Sequence, residues 1–137
     1  MNTLLTKIQI PLLLMAGALL SLVGVMILAT PIDFYAANSI ELDSNVSLLN
    51  ELKAPAGFLL VAGGFIISAV FIRSMINMAI LLATMIYLSY ATSRFVSMWL
   101  DGLPATGLVQ AAALETTIGL ACLAVLLIRW RPIRTVA

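Results

Sequence analysis

The sequence predicts an all-α membrane protein, an antiparallel bundle of four transmembrane helices. Of its 137 residues, 63% are apolar and 9% are charged, whereas about 25% of the residues in a typical soluble domain are charged. The apolar residues gather in four long tracts, each close to the roughly 20 residues that a helix needs to cross a bilayer. Strands of a membrane barrel would alternate apolar and polar residues. The tracts do not alternate, so helices are the better interpretation.

The chain is predicted to form a single domain. The four spans cover approximately 8–30, 54–72, 74–99 and 105–128, and the outer loop covers 31–53. Pro31 ends the first span, since proline does not continue a helix. Pro55 and Pro104 are expected near the starts of spans two and four, where a missing N–H costs little. A cleaved signal peptide is the alternative for span one, but its 23 uncharged residues exceed the usual 7–15, which favours an uncleaved anchor.

The basic residues predict the orientation of the bundle. Five of the seven would share one side: Lys7, Arg73, Arg129, Arg131 and Arg134. Because cytoplasmic segments are enriched in Lys and Arg, both termini are expected in the cytoplasm. All six acidic residues would lie outside or in the outer half of the membrane: Asp33, Glu41, Asp43, Glu51, Asp101 and Glu115.

The loop 31–53 is too short for a domain of its own and is expected to cover the bundle. Asn45-Val46-Ser47 matches a glycosylation sequon, but Asn45 or Ser47 can instead cap a helix that leads into span two. We favour the capping interpretation.

The residue inventory excludes several kinds of function. The chain has no histidine and one cysteine, which excludes histidine-based catalysis and a zinc site built from Cys and His. A net charge of +1 does not provide the basic surface of a nucleic-acid-binding protein. We therefore expect no metal, no cofactor, no nucleic-acid partner and no catalytic residue, although carboxylate-based catalysis stays open.

Charged residues within the spans are the first candidates for a site, because ionisable groups at membrane depth are costly. Arg94 follows Arg73 by 21 residues, about 31 Å along a helix, and Glu115 precedes Arg129 by 14 residues, about 21 Å. Glu115 is therefore the deepest charge, and Arg94 is its natural partner. Glu51 and Asp101 can compete for the same arginine.

Span three carries a polar stripe at steps of three and four residues, a spacing that places its members on one helix face. These residues are Thr84, Tyr87, Tyr90, Arg94, Ser97 and Asp101. The stripe is expected to face the bundle interior. Together with span four, the candidates for a pocket or ion pair are Glu51, Lys53, Tyr87, Tyr90, Arg94, Asp101, Gln110 and Glu115. Two interpretations stay open: pairing between helices that only stabilises the bundle, and a pocket that faces a ligand.

Small residues predict where helices approach closely. Gly17, Ser21 and Gly24 share one side of span one, and span two is rich in Ala, Gly and Ser. Gly64 and Ser68 have the small-xxx-small spacing and are expected to pack within the bundle.

The order of several motifs resembles an uncharacterised bacterial membrane family, domain-of-unknown-function 4345. The likeness rests on three segments, 50–60 at the start of span two, Arg94 followed by Asp101-Gly102-Leu103-Pro104, and Ala113-Leu114-Glu115. Lys53 stands where many members look to have arginine, which weakens any bidentate role at that position. The resemblance implies the DoxX-like four-helix class and a bacterial inner membrane, and it implies no activity.

The function expected from these residues is that of a small non-enzymatic membrane protein with an outward-facing polar pocket for a small molecule or lipid headgroup. The alternatives are a proton-coupled transporter that uses Glu115 and an accessory subunit of a membrane complex. The expected partners are the lipid bilayer and a small-molecule or lipid ligand, with a homo-oligomer or a membrane partner as further candidates.

Overall fold

A computed structural model of the chain describes residues 3–130, which fold into five α-helices. These are α1 (Thr3–Ala29), α2 (Pro31–Ala36), α3 (Val46–Ala69), α4 (Ile76–Asp101) and α5 (Thr106–Trp130), with a 3₁₀ turn at Arg73–Met75. All except α2 are long and apolar enough to cross a membrane. The predicted all-α bundle of four membrane helices is thereby confirmed. Arg131 and Arg134, two of the basic residues used for orientation, lie outside the described residues.

Helix α3 begins at Val46, eight residues before the expected start of span two. The Asn45 side chain caps it, because its Oδ1 accepts the backbone N–H groups of Ser47 (2.9 Å) and Leu48 (3.2 Å). This confirms the capping interpretation. The outer loop is consequently shorter than 31–53, and Pro55 lies inside α3 rather than near its start. Its missing N–H leaves one carbonyl of the preceding turn without its usual helical partner.

The bundle is built from two closely packed antiparallel pairs, α1 with α3 and α4 with α5. In the first pair the backbones are in direct contact at three glycines, Gly17, Gly24 and Gly63. A Cβ atom on Gly63 would lie 2.5 Å from the carbonyl oxygen of Gly17 and 2.7 Å from the backbone nitrogen of Ser21. A Cβ on Gly24 would lie 2.8 Å from the carbonyl oxygen of Ala56. These positions need residues without a side chain, as close helix packing in membranes requires.

Gly64 and Ser68 do not take part in this packing, contrary to expectation. Both are exposed, and a Cβ on Gly64 would meet no atom within 4 Å. The Ser68 hydroxyl instead donates a hydrogen bond to the Gly64 carbonyl within the same helix (2.8 Å). In α3 only Gly64 and Ser68 have this spacing, whereas Gly63 on the face that contacts α1 has no small residue four positions away. The spacing therefore does not identify the packed face.

The two pairs meet across an apolar core. The largest fully buried side chains include Leu13 of α1, Ile66 of α3, Ile80 of α4 and Ile118 of α5. Many other apolar side chains face outward, and 73–84% of Val61, Phe71 and Trp99 is exposed. An outward apolar surface on long helices indicates contact with the lipid bilayer. We call the end of the bundle where α1 begins and α5 ends the terminal end, and the end covered by α2 the loop end.

Candidate functional site

A cavity of about 400 Å³ lies inside the bundle at the loop end, between the two helix pairs. All five helices contribute to its lining. Its volume falls in the range of about 300–1,000 Å³ that is typical of small-molecule sites. Most of the walls are apolar side chains, among them Leu20, Ile27, Leu59, Ile86 and Leu114. The lining is therefore less polar than the sequence led us to expect.

An ion pair between α4 and α5 supplies the charge in this cavity. Arg94 Nε donates a hydrogen bond to Glu115 Oε2 over 2.8 Å. The Arg94 side chain is 30% exposed and the Glu115 side chain 16% exposed, so the carboxylate is the more deeply shielded partner. Charge-assisted hydrogen bonds of this kind are stronger than neutral ones, and this one also ties the two helices together at the cavity.

Arg94 has unused hydrogen-bonding capacity. A guanidinium has five N–H donors, and within residues 3–130 the only hydrogen bond of the Arg94 side chain is the one from Nε. Its terminal nitrogens are thus available to an acceptor oxygen placed in the cavity. The Glu115 carboxylate holds the group in a fixed orientation, as bidentate recognition of an oxyanion requires.

Three tyrosines lie around the same space. Tyr87 is buried, and its hydroxyl donates to the backbone carbonyl of Ala16 in α1 (2.8 Å), which links the two helix pairs. Tyr90 and Tyr35 also line the cavity. Tyr35 lies in the short α2 outside the spans, where burial raises its pKa and the nearby positive charge of Arg94 acts in the opposite direction. Because its pKa is raised above the ordinary tyrosine value, the Tyr35 phenol keeps its proton and can donate a hydrogen bond.

Helix α2 and the turn after it cover the cavity. Pro31 begins α2, as its fixed φ favours, and the rings of Phe34 and Tyr35 pack edge to face with centroids 5.4 Å apart. The residues that close the loop end are Phe34, Tyr35, Asn38 and Ile40. A Cβ on Gly107 of α5 would lie 2.5 Å from Asn38 Oδ1, so the cover rests directly on α5.

The expected cover over the bundle is therefore present, but its cavity-lining residues were missing from the predicted site. The signal that would have found them is the sequence Pro31 to Tyr35, in which a helix-starting proline is followed by two aromatic residues directly after a membrane span. An aromatic pair at that place has an apolar body to bury and, in Tyr35, a polar tip.

The structure places half of the predicted site residues in the cavity and half outside it. Tyr87, Tyr90, Arg94 and Glu115 line it, whereas Glu51, Lys53, Asp101 and Gln110 do not. Glu51, Asp101 and Gln110 are exposed and Lys53 is half-buried. The polar stripe of α4 leaves the bundle interior after Arg94, and Ser97 donates to Asp101 on the exposed surface (3.0 Å).

The described residues offer little else for chemistry. Among residues 3–130, no group of three or more His, Cys, Asp or Glu side chains is placed to hold a metal ion. Cys122, the single cysteine, is fully buried in the core. The chemistry that the site offers is therefore that of one ion pair and the tyrosine hydroxyls within mostly apolar walls.

Comparison with known proteins adds the family. A family model described as "Domain of unknown function (DUF4345)" matches residues 8–126, which includes parts of all four long helices. The chain matches no curated protein and no solved structure. Since the family model covers most of the chain, this protein belongs to the family Domain of unknown function (DUF4345).

Proposed function

We propose that this multi-pass membrane protein binds a small amphipathic molecule in the cavity, as a non-enzymatic binding protein. The observation that carries the proposal is the cavity itself, which has mostly apolar walls and a few polar side chains, among them Arg94, Glu115 and Tyr35. Concave, mostly apolar sites with a few convergent polar groups are the usual form of small-molecule sites. The ligand class that fits is an apolar chain or ring that carries a carboxylate, phosphate or carbonyl oxygen.

These polar side chains of the protein would set the orientation of such a ligand. The free terminal nitrogens of Arg94 would donate to the ligand oxygen, and the neutral Tyr35 hydroxyl can add a further hydrogen bond. The Glu115 carboxylate would stay paired with Arg94 Nε and position it. The apolar part would lie along Leu20, Leu59 and Ile86, where its transfer from water contributes roughly 25 cal/mol per Å² of buried surface.

Decanoate, a carboxylate with an apolar chain, is a suitable probe. We expect the protein in lipid nanodiscs to retain radiolabelled decanoate in equilibrium dialysis, after subtraction of empty nanodiscs. Ala111→Phe places a large side chain at a cavity-lining position, and we expect it to weaken binding at least about tenfold, a loss of roughly 1.4 kcal/mol. Ala113→Phe is the matched control, since Ala113 is exposed on the same helix and does not line the cavity. Equal binding by the two variants would refute the proposal.

Glu115→Gln separates a binding role from a purely structural one. The glutamine oxygen can still accept the N–H of Arg94, so we expect the variant to insert and fold. We expect decanoate to bind at least as tightly as in the wild type, because Arg94 keeps a hydrogen-bond partner while its positive charge is no longer compensated by a carboxylate. A variant that fails to insert or unfolds would instead show that the pair serves mainly to stabilise the bundle.

We further propose that the termini are cytoplasmic, so that the cavity lies in the outer half of the membrane. The support is that Lys7, Arg73 and Arg129 lie at the terminal end, because cytoplasmic segments of membrane proteins are enriched in Lys and Arg. In a Cys122→Ala background, Ser44→Cys and Ser74→Cys place a thiol at exposed positions of opposite ends. We expect a membrane-impermeant maleimide to label Ser44→Cys in intact cells and Ser74→Cys only after lysis. The reverse pattern would invert the orientation.

A further inference from the structure

A second polar cluster lies at the terminal end of the bundle, opposite the cavity. Arg129 of α5 donates from Nε to Asn77 Oδ1 of α4 (2.6 Å) and from Nη1 to Gln9 Oε1 of α1 (2.7 Å). Three helices are thereby joined through one guanidinium. These bonds use neutral amide oxygens as acceptors, so they leave the positive charge of Arg129 uncompensated.

Acidic residues that can neutralise this charge are far away. All six acidic residues of the chain lie between positions 33 and 115. The nearest on the same helix, Glu115, is 14 residues from Arg129, about 21 Å along the helix, which is too far for an ion pair. Glu115 is moreover already paired with Arg94. The exposed Lys7 and Arg73 add further positive charge at the terminal end.

Gln9, in the same cluster, carries a hydrogen-bond donor that has no acceptor. Its side chain is buried, with 1% of the residue exposed, and among the described residues its Nε2 has no hydrogen-bond partner. The bond from Arg129 identifies Oε1 as the acceptor and thus directs Nε2 to the other side of the amide. A buried donor without an acceptor lowers stability by about 1–3 kcal/mol. A bound acceptor at this position would remove that cost.

We propose that this cluster of Gln9, Asn77 and Arg129 binds an anionic phosphate group. The remaining N–H groups of Arg129 and the Nε2 of Gln9 would donate to its oxygens, and the negative charge would neutralise the guanidinium. Arginine is well suited to phosphate because its planar fork matches two oxygens. The terminal end of a membrane-spanning bundle lies at headgroup level, so the phosphate can come from an anionic lipid or from solution.

The test uses charge replacement at Gln9. Gln9→Glu places a carboxylate beside Arg129 and supplies the missing counter-charge from within the protein. Arg73→Gln is the matched control, because it changes the net charge by the same amount at an exposed position of the same end. Gln9→Met removes the amide without adding charge and serves as a second variant if Gln9→Glu does not fold.

Binding is measured as the shift in unfolding temperature when phosphatidylglycerol replaces phosphatidylcholine in the nanodisc, and as the apparent affinity from titration of the anionic lipid. We expect Gln9→Glu to lower that affinity at least tenfold, Gln9→Met to lower it severalfold and Arg73→Gln to change it less than threefold. Stabilisation by inorganic phosphate in phosphatidylcholine nanodiscs identifies free phosphate as the source, and stabilisation by phosphatidylglycerol alone identifies lipid. The proposal is overturned if neither phosphate source stabilises the wild type, or if Arg73→Gln loses as much affinity as Gln9→Glu.

Discussion

Gly63→Ala is expected to lower the free energy of unfolding by about 3 kcal/mol, the upper part of the range for overpacking a well-packed interface. The added methyl group would lie 2.5 Å from the Gly17 carbonyl oxygen and would also clash with the Ser21 side chain. The closest neighbours include backbone atoms of α1, which cannot rotate away as a long side chain can. The two helices would have to separate along their whole contact, with a loss of packing at Gly24 as well.

Gly64→Ala is the matched control one residue along the same helix. A methyl group there meets no atom within 4 Å, and alanine is favoured over glycine in helices by about 0.5–1 kcal/mol. We expect this variant to be as stable as the wild type or slightly more stable. Unfolding in mixed detergent micelles, followed by circular dichroism, measures both changes. Equal stability of the two variants would show that α1 and α3 are not in backbone contact.

Arg94→Met is expected to lower the free energy of unfolding by about 2 kcal/mol, since removal of one partner leaves a shielded charge unpaired. The Glu115 side chain is only 16% exposed, so water would not fully hydrate its carboxylate in the variant. The cost is below that of a fully buried pair because Arg94 itself is 30% exposed. The methionine keeps most of the apolar stem of the arginine in place.

A double-mutant cycle isolates the pair itself. We expect Arg94→Met combined with Glu115→Met to recover most of the lost stability, because replacing both partners of a shielded ion pair by apolar residues is often neutral. The coupling energy should be about 1–2 kcal/mol. Asp101→Asn provides the control for loss of an exposed carboxylate at the same end and should change stability by less than about 0.5 kcal/mol. Additive effects of the two methionine substitutions would show that the pair contributes nothing beyond its separate residues.

Composition and periodicity were sufficient to predict much of the fold. Four apolar tracts without regular alternation predict four membrane helices. Within lipid, a helix is the structure in which a single segment satisfies its backbone hydrogen bonds by itself. The cap at Asn45 was also predictable, since Asn before an apolar run has a defined local role. The expected boundary of span two at residue 54 lies later than the start of α3, because hydropathy marks the membrane tract, whereas the helix extends beyond it to its cap at Asn45.

The candidate site was predictable only where the residues follow one helix. Tyr87, Tyr90 and Arg94 repeat at helical spacing, which places them on one face of α4. Their position against Glu115 depends on how α4 and α5 pack, and the spacing cannot exclude Asp101, which proves to be exposed. Glu51 and Gln110 likewise have the right depth along the chain but the wrong rotation about their helices.

The sequence by itself determined the number of spans, the scarcity of charge and the separation of acidic from basic residues. These properties depend only on the composition and on the order of residues along the chain. The tertiary structure alone decided which glycines lie between helices, where the cavity forms and that Phe34 and Tyr35 cover it. It also brought Gln9, Asn77 and Arg129 together from three helices. Helix packing sets the rotation and approach of each helix, and in lipid that packing depends on the fit of side chains rather than on hydrophobicity.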